Sequence, residues 1–191
     1  RNLTQGAGGV HIFELGTVTH PEGPTESVRL GIAIAGLWLR DWRTKDSSDF
    51  FRLKGLLEAL TSRLCHDAMH LAAAAHAWAE PTRSVVVRLG ERDIGVAAQV
   101  SRAITGALDL EVPVWFAELS VDGLLAAKRS AASISAPPVF PPAKRDLSVV
   151  LDDATPFEAV QQAIVEAGRP LASRVELIDR YVGRQIPQGK H

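Results

Sequence analysis

Apolar side chains recur at two different periods along this chain, and the change of period marks its elements. Residues 10–15 (Val-His-Ile-Phe-Glu-Leu) and 28–35 are alternating, β-branched runs of the kind that forms half-buried strands. Gly16 closes the first, residues 20–25 hold a Pro/Gly turn, and the two runs pair antiparallel across it. From Phe50 the period becomes helical. Phe50, Leu53, Leu57, Leu60 and Leu64 line one face with Leu56 beside them, and Ser47, Ser48 and Asp49 offer N-caps. Gly55 costs this helix about 1 kcal/mol relative to Ala, which points to close packing at that residue. The helical tendency continues through the Ala-rich residues 66–79 until Pro81 stops it.

Residues 83–89 and 93–100 read as a hairpin, 101–108 as a short helix, 112–119 as a strand with Pro113 near its start, and 121–127 as a helical turn. Pro137, Pro138, Pro141 and Pro142 stiffen residues 133–144 into an extended linker. The chain therefore divides into residues 1–132, the linker 133–144, and residues 145–191. In the last part, residues 146–151 form a strand. Thr155, Pro156 and Glu158 make a capping box with Pro at the first helical position. Phe157, Val160, Ile164 and Ala167 form the buried face of the helix, Gly168 and Pro170 end it, and residues 175–182 form a second strand. A strand, a helix and a strand cross over right-handed. Two strands and one helix leave sheet edges open, so further strands are expected after His191. Arg1 stands where an initiator Met is absent, so the chain is also expected to begin mid-protein.

Charge narrows the function. Lys and Arg number 21 against 22 Asp and Glu, so any nucleic-acid contact is local and shaped, not a broad electrostatic coat. Cys65 is alone, which excludes an internal disulfide and favours the cytosol. No apolar run reaches the roughly 18–20 residues of a membrane span.

His66 and His70 stand four apart around Asp67, with His76 beyond: metal-ligand spacing on a helix face. Asp is shorter than the Glu of a zinc-protease motif and no third-ligand spacing follows, so a half-buried helix end is the competing reading. Cys65 lies on the apolar helix face and reads as packing. No nucleophile elbow, dinucleotide fingerprint or phosphate loop occurs, and no catalytic, cofactor-binding or metal residue is assigned. Trp38, Trp42, Phe50 and Phe51 concentrate near one edge, either as core or as a subunit interface. Lys144 and Arg145 place two cations at the start of a strand, or simply end a charged linker. Asp179 and Tyr181 share one sheet face. If the helix covers Leu147, Val149 and Leu151, Ser148 faces the open side with them. A Tyr flanked by hydrogen-bonding groups on an open sheet face is how small sheets stack an unpaired base; a generic surface Tyr is the alternative.

In order along the chain, several segments resemble the bacterial phenylalanyl-tRNA synthetase β-subunit family. Arg1-Asn2-Leu3, Phe13-Glu14-Leu15-Gly16, residues 49–55 (Asp-Phe-Phe-Arg-Leu-Lys-Gly), Arg83-Ser84, Gly95 and Ala107-Leu108-Asp109-Leu110 resemble its catalytic-like domain. Residues 140–147 (Phe-Pro-Pro-Ala-Lys-Arg-Asp-Leu), 176–183 (Glu-Leu-Ile-Asp-Arg-Tyr-Val-Gly) and 186–190 (Ile-Pro-Gln-Gly-Lys) resemble the start of its anticodon-binding domain. The resemblance implies an α+β chain: a class II synthetase-like antiparallel sheet with helices, followed by a partial ferredoxin-like β-α-β unit. It implies a non-catalytic segment that pairs with an α subunit in an α2β2 heterotetramer. The whole cytoplasmic enzyme would join phenylalanine to tRNA(Phe) with ATP and Mg²⁺. Tyr181 would stack on an anticodon base, Asp179 and Ser148 would hydrogen-bond base edges, and Lys144 and Arg145 match a basic pair of the family pattern. Two positions depart from that pattern. Glu80-Pro81-Thr82-Arg83 stands where the family often has His-Pro-Gly-Arg, and Arg180 stands at a commonly apolar position, which suggests a looser core face. The family's editing and metal-binding regions are expected upstream of this chain. A stand-alone RNA-binding or assembly module, or a His-based metal enzyme, are the alternative classes.

Overall fold

The computed structural model describes residues 3, 5–19, 25–40, 45–65, 67–127, 140–172, 174–183 and 185–191. Arg1, Asn2, the turn at residues 20–24, Trp42, His66 and linker residues 133–139 lie outside the described residues. The chain divides into two compact units, Arg1–Ile134 and Ser135–His191.

The first unit runs β1 (Gly9–Thr19), β2 (Glu26–Arg40), β3 (Lys45–Ser47), α1 (Phe50–Leu64), β4 (Met69–Ala73), β5 (Ala79–Leu89), β6 (Arg92–Val100), α2 (Arg102–Ala107), β7 (Val114–Ser120) and α3 (Val121–Ala126). The strands form one antiparallel sheet in the order β1-β2-β7-β6-β5-β4, with β3 paired off β2. The β1–β2 hairpin is longer than its sequence signal. It passes through Gly16 and keeps register from Gly9↔Gly36 to Thr19↔Glu26. At its far end the chain comes so close that a Cβ on Gly9 would lie 1.9 Å from the Leu37 carbonyl oxygen. Only glycine fits there.

Register decides which side of the sheet is core. Leu30, Ile32 and Ile34 of β2 stand opposite Leu119, Ala117 and Trp115 of β7, and Ala117 stands opposite Ala97 of β6. These residues share one face, against which α1 and α3 pack. Leu53 and Leu57 of α1 and Leu124 of α3 complete the core with Val87, Ile94 and Cys65. The helix starts as its sequence predicts: the Asp49 carboxylate accepts the Arg52 backbone N–H at 2.8 Å. Cys65 caps its other end, fully buried, as the packing reading expects. Trp38 is half-buried against the core, ringed by His11 at 4.6 Å and the Arg52 guanidinium at 5.7 Å, whereas Phe51 is exposed.

Two expectations for this unit are overturned. The helix does not continue into residues 66–79, because residues 69–73 form β4 and pair with β5 from Met69↔Leu89 to Ala73↔Val85. The helix preference of Ala is small per residue, and the backbone hydrogen bonds along the free side of β5 outweigh it. Gly55 does not mark close packing: it is exposed, and a Cβ there would meet nothing within 4 Å.

In the second unit α4 (Phe157–Ala167) forms as predicted, and Gly168 ends it. Phe157, Val160 and Ile164 are half-buried, but Ala167 is exposed and no residue of the helix is fully buried. The capping box does not form. Pro156 has ψ 144°, extended and not helical, so it takes the N-cap position itself and the helix starts one residue later. Neither predicted strand, 146–151 or 175–182, forms a ladder among the described residues. Instead, residues 151–153 pair antiparallel with residues 189–191. Leu151 and His191 exchange both backbone hydrogen bonds at 2.9 and 3.0 Å, and Asp152 bridges to Lys190. In a split β-α-β arrangement the two runs joined by the helix are not neighbours. The first run therefore begins to pair with the segment after the second. Leu147 and Val149 accordingly stay exposed and are not covered by the helix. Among the described residues, Gln161 Nε2 links α4 to the second run by donating to the Val175 carbonyl at 3.2 Å.

No helix among the described residues is long and apolar enough to cross a membrane.

All four tryptophans lie in the first unit, so urea unfolding followed by tryptophan fluorescence reads that unit. Gly55→Ala is expected to stabilise it by about 0.5–1 kcal/mol, since the site is open and helical. Leu57→Ala is expected to destabilise it by about 2–5 kcal/mol, through lost burial and a residual cavity.

Candidate nucleic-acid interface

The residues that sequence reading marks for RNA contact all lie in the second unit. Lys144, Arg145, Ser148, Asp179 and Tyr181 are each exposed. They sit on the two extended runs before and after α4, where exposed apolar side chains also gather: Val150, Leu177, Ile178 and Val182. Asp179 and Tyr181 stand two apart on an extended run. The Asp179 carboxylate accepts the Arg180 backbone N–H at 2.7 Å, which orients it while leaving its second oxygen for another donor. Tyr181 is 56% exposed, and its hydroxyl makes no hydrogen bond among the described residues. Arg145 bends back to donate to the Lys144 carbonyl at 2.8 Å. No hydrogen bond or ion pair among the described residues joins Lys144, Arg145 or Ser148 to Asp179 or Tyr181. The two halves of the expected surface are therefore not linked directly.

A charge cluster that sequence reading missed ties the ends of this unit together. The Arg180 guanidinium donates to Asp153 Oδ1 at 3.2 Å, His191 Nδ1 lies 3.3 Å from the same oxygen, and Lys190 pairs with Asp152 at 3.4 Å. Arg180 thus points to Asp153 and does not loosen a core face. The pair is half exposed, so it fixes geometry more than it stabilises. The available signal was the Asp152-Asp153 pair beside a second run bearing Arg180, with Lys190 and His191 beyond.

In the first unit, the sheet face away from α1 and α3 carries an aromatic row. Trp78 meets Phe116 edge-on at 5.7 Å and His76 stacks on Trp78 at 5.8 Å. The buried His76 Nε2 has no hydrogen-bond partner among the described residues. His70 lies on β4 opposite Arg88, so the i, i+4 histidine face is lost with the helix that would have displayed it. Among the described residues no group of three His, Cys, Asp or Glu is placed to hold a metal ion. Polar groups here are engaged with one another: Arg83 donates to Gln99 Oε1 at 2.6 Å, and Arg88 pairs with Asp93 at 2.5 Å. The hydrogen bond and charge of Asp93 raise the Arg88 pKa above its ordinary value.

Comparison with known proteins accounts for both units. Residues 138–191 match the ferredoxin-fold anticodon binding domain. The chain is 35% identical over 193 aligned positions to the phenylalanine–tRNA ligase beta subunit of Geobacillus kaustophilus, covering 95% of this chain and 23% of that protein. The corresponding subunits of Moorella thermoacetica and Bacillus subtilis are 32% and 31% identical, each over 99% of this chain and 24% of theirs. The chain thus spans about a quarter of the length of these relatives. Residues 1–121, well over half of the chain, match the phenylalanyl tRNA synthetase beta chain CLM domain, and the chain belongs to that family.

Proposed function

We propose that this chain is the part of a phenylalanine–tRNA ligase β subunit that pairs with the α subunit and contributes to anticodon recognition. The whole enzyme joins phenylalanine to tRNA(Phe) at the expense of ATP, in the cytoplasm, as an α2β2 assembly. ATP and Mg²⁺ act at the level of that enzyme. In this reading the segment supplies contacts and no step of the reaction.

Anticodon contact belongs to the second unit. Tyr181 stacks on an unpaired base, a contact that tolerates any base because each has a π-face. Asp179 and Ser148 accept or donate hydrogen bonds at base edges, which carry the sequence information. Lys144 and Arg145 meet backbone phosphates, and their contribution falls with added salt. A near-neutral chain suits such a division, with a few placed cations and an aromatic platform in place of a basic coat. Residues 1–132 serve as the subunit-pairing domain, residues 133–144 as the linker, and residues 145–191 as the start of the anticodon-binding domain.

One observation carries this reading. An exposed tyrosine beside a fixed carboxylate stands in the unit that matches an anticodon-binding domain. Tyr181→Ala in the complete β chain assembled with its α partner is expected to weaken tRNA(Phe) binding by about 1–3 kcal/mol, the worth of one base–aromatic stack. Filter binding with a tRNA(Phe) transcript measures it, and unchanged affinity together with unchanged aminoacylation would count against the assignment.

A further inference from the structure

Gly183 occupies a singular position in the second unit. A Cβ built there would lie 2.2 Å from Tyr181 Oη, 2.5 Å from Cζ and 2.9 Å from Cε1. The hydroxyl end of the Tyr181 ring therefore fills the space that a side chain at residue 183 would need. The backbone does not ask for glycine: Gly183 lies outside the left-handed region, unlike Gly189, whose φ is +80°. The two glycines serve opposite purposes. Gly189 has open space around its Cβ position and a backbone angle that L-residues avoid, while Gly183 has an ordinary backbone and no space.

We propose that Gly183 is a positioning residue for Tyr181, setting the ring orientation in which it meets an anticodon base; this rests on the anticodon reading above. Tyr181 is 56% exposed and its hydroxyl is not hydrogen-bonded among the described residues, so few contacts restrain its two side-chain torsions. The seat over Gly183 removes part of the remaining freedom before RNA arrives. A side chain held in its bound orientation loses less entropy on binding. An alanine at 183 leaves the backbone undisturbed and drives the ring away. The displaced atoms belong to the end of an exposed side chain, so the fold itself loses little.

The experiment combines a binding cycle with a direct view of the ring. In the complete β chain assembled with its α partner, affinity for a tRNA(Phe) transcript is measured for Tyr181→Ala, Gly183→Ala and the double variant. Gly183→Ala is expected to bind about three- to tenfold more weakly, less than the full loss in Tyr181→Ala, because the ring is displaced and not removed. In the Tyr181→Ala background, Gly183→Ala is expected to change nothing further. In the same assembly carrying fluorine-labelled tyrosine, the NMR signals lost in Tyr181→Ala are those of its ring. Gly183→Ala is expected to move them toward those of a free tyrosine while the thermal midpoint stays put. Two results overturn the positioning role even if Tyr181→Ala weakens binding. One is that Gly183→Ala binds as the parent; the other is that it costs the same with or without Tyr181. If Tyr181→Ala itself leaves affinity unchanged, the anticodon reading fails first and takes this proposal with it.

Discussion

β7 closes the sheet of the first unit, and its register decides what that unit is. It enters between β2 and β6, after the chain has already laid down the β5–β6 hairpin and α1. Trp115, Ala117 and Leu119 alternate with Val114, Phe116 and Glu118 along it, the first set buried and the second half-exposed. A slip of one residue would turn Phe116 and Glu118 under α1 and expose the core set. The core therefore depends on long-range antiparallel pairing more than on any single helix. α1 and α3 cover one face, and the other carries the aromatic row of Trp78 and Phe116 with His76 stacked on it.

Elements whose local signal agrees with their tertiary setting were legible in the sequence. The apolar spacing from Phe50 to Leu64, the cap at Asp49 and the β5–β6 turn at Gly90 each name their own structure. Residues 66–79 misled because Ala prefers a helix when nothing else is decided. Here β5 offers an unpaired edge, and Met69 and Leu71 can pack toward the core from a strand. Gly55 misled for the reverse reason: a glycine in a helix invites a packing explanation, yet this one faces open space. Pro156 shows how thin a local rule can be, since its ψ alone moves the helix start and dissolves a capping box.

In the second unit, α4 and its end at Gly168 were legible. Tyr181, Asp179 and Ser148 are exposed, but so are Leu147, Val149, Ile178 and Val182 between and beside them, so the alternation of polar and apolar residues does not decide it. The two strands expected around α4 depend on neighbours that local sequence does not contain, and pairing begins only at Leu151–Asp153 with Gly189–His191. The Asp153–Arg180–His191 cluster lay outside any local pattern because it joins residues far apart in the chain. Tyr181 and Gly183 stand only two apart, yet the lean of the ring over the glycine shows only in the folded chain.

The central claim is that RNA meets the second unit at Tyr181 while the first unit serves as a scaffold. Hydroxyl-radical footprinting of the complete enzyme, with and without tRNA(Phe), tests it at side-chain resolution. The account predicts that oxidation of Tyr181 falls when tRNA binds while that of Trp78 and Phe116 is unchanged. Oxidation of Tyr181 at the same rate in the saturated complex would contradict it.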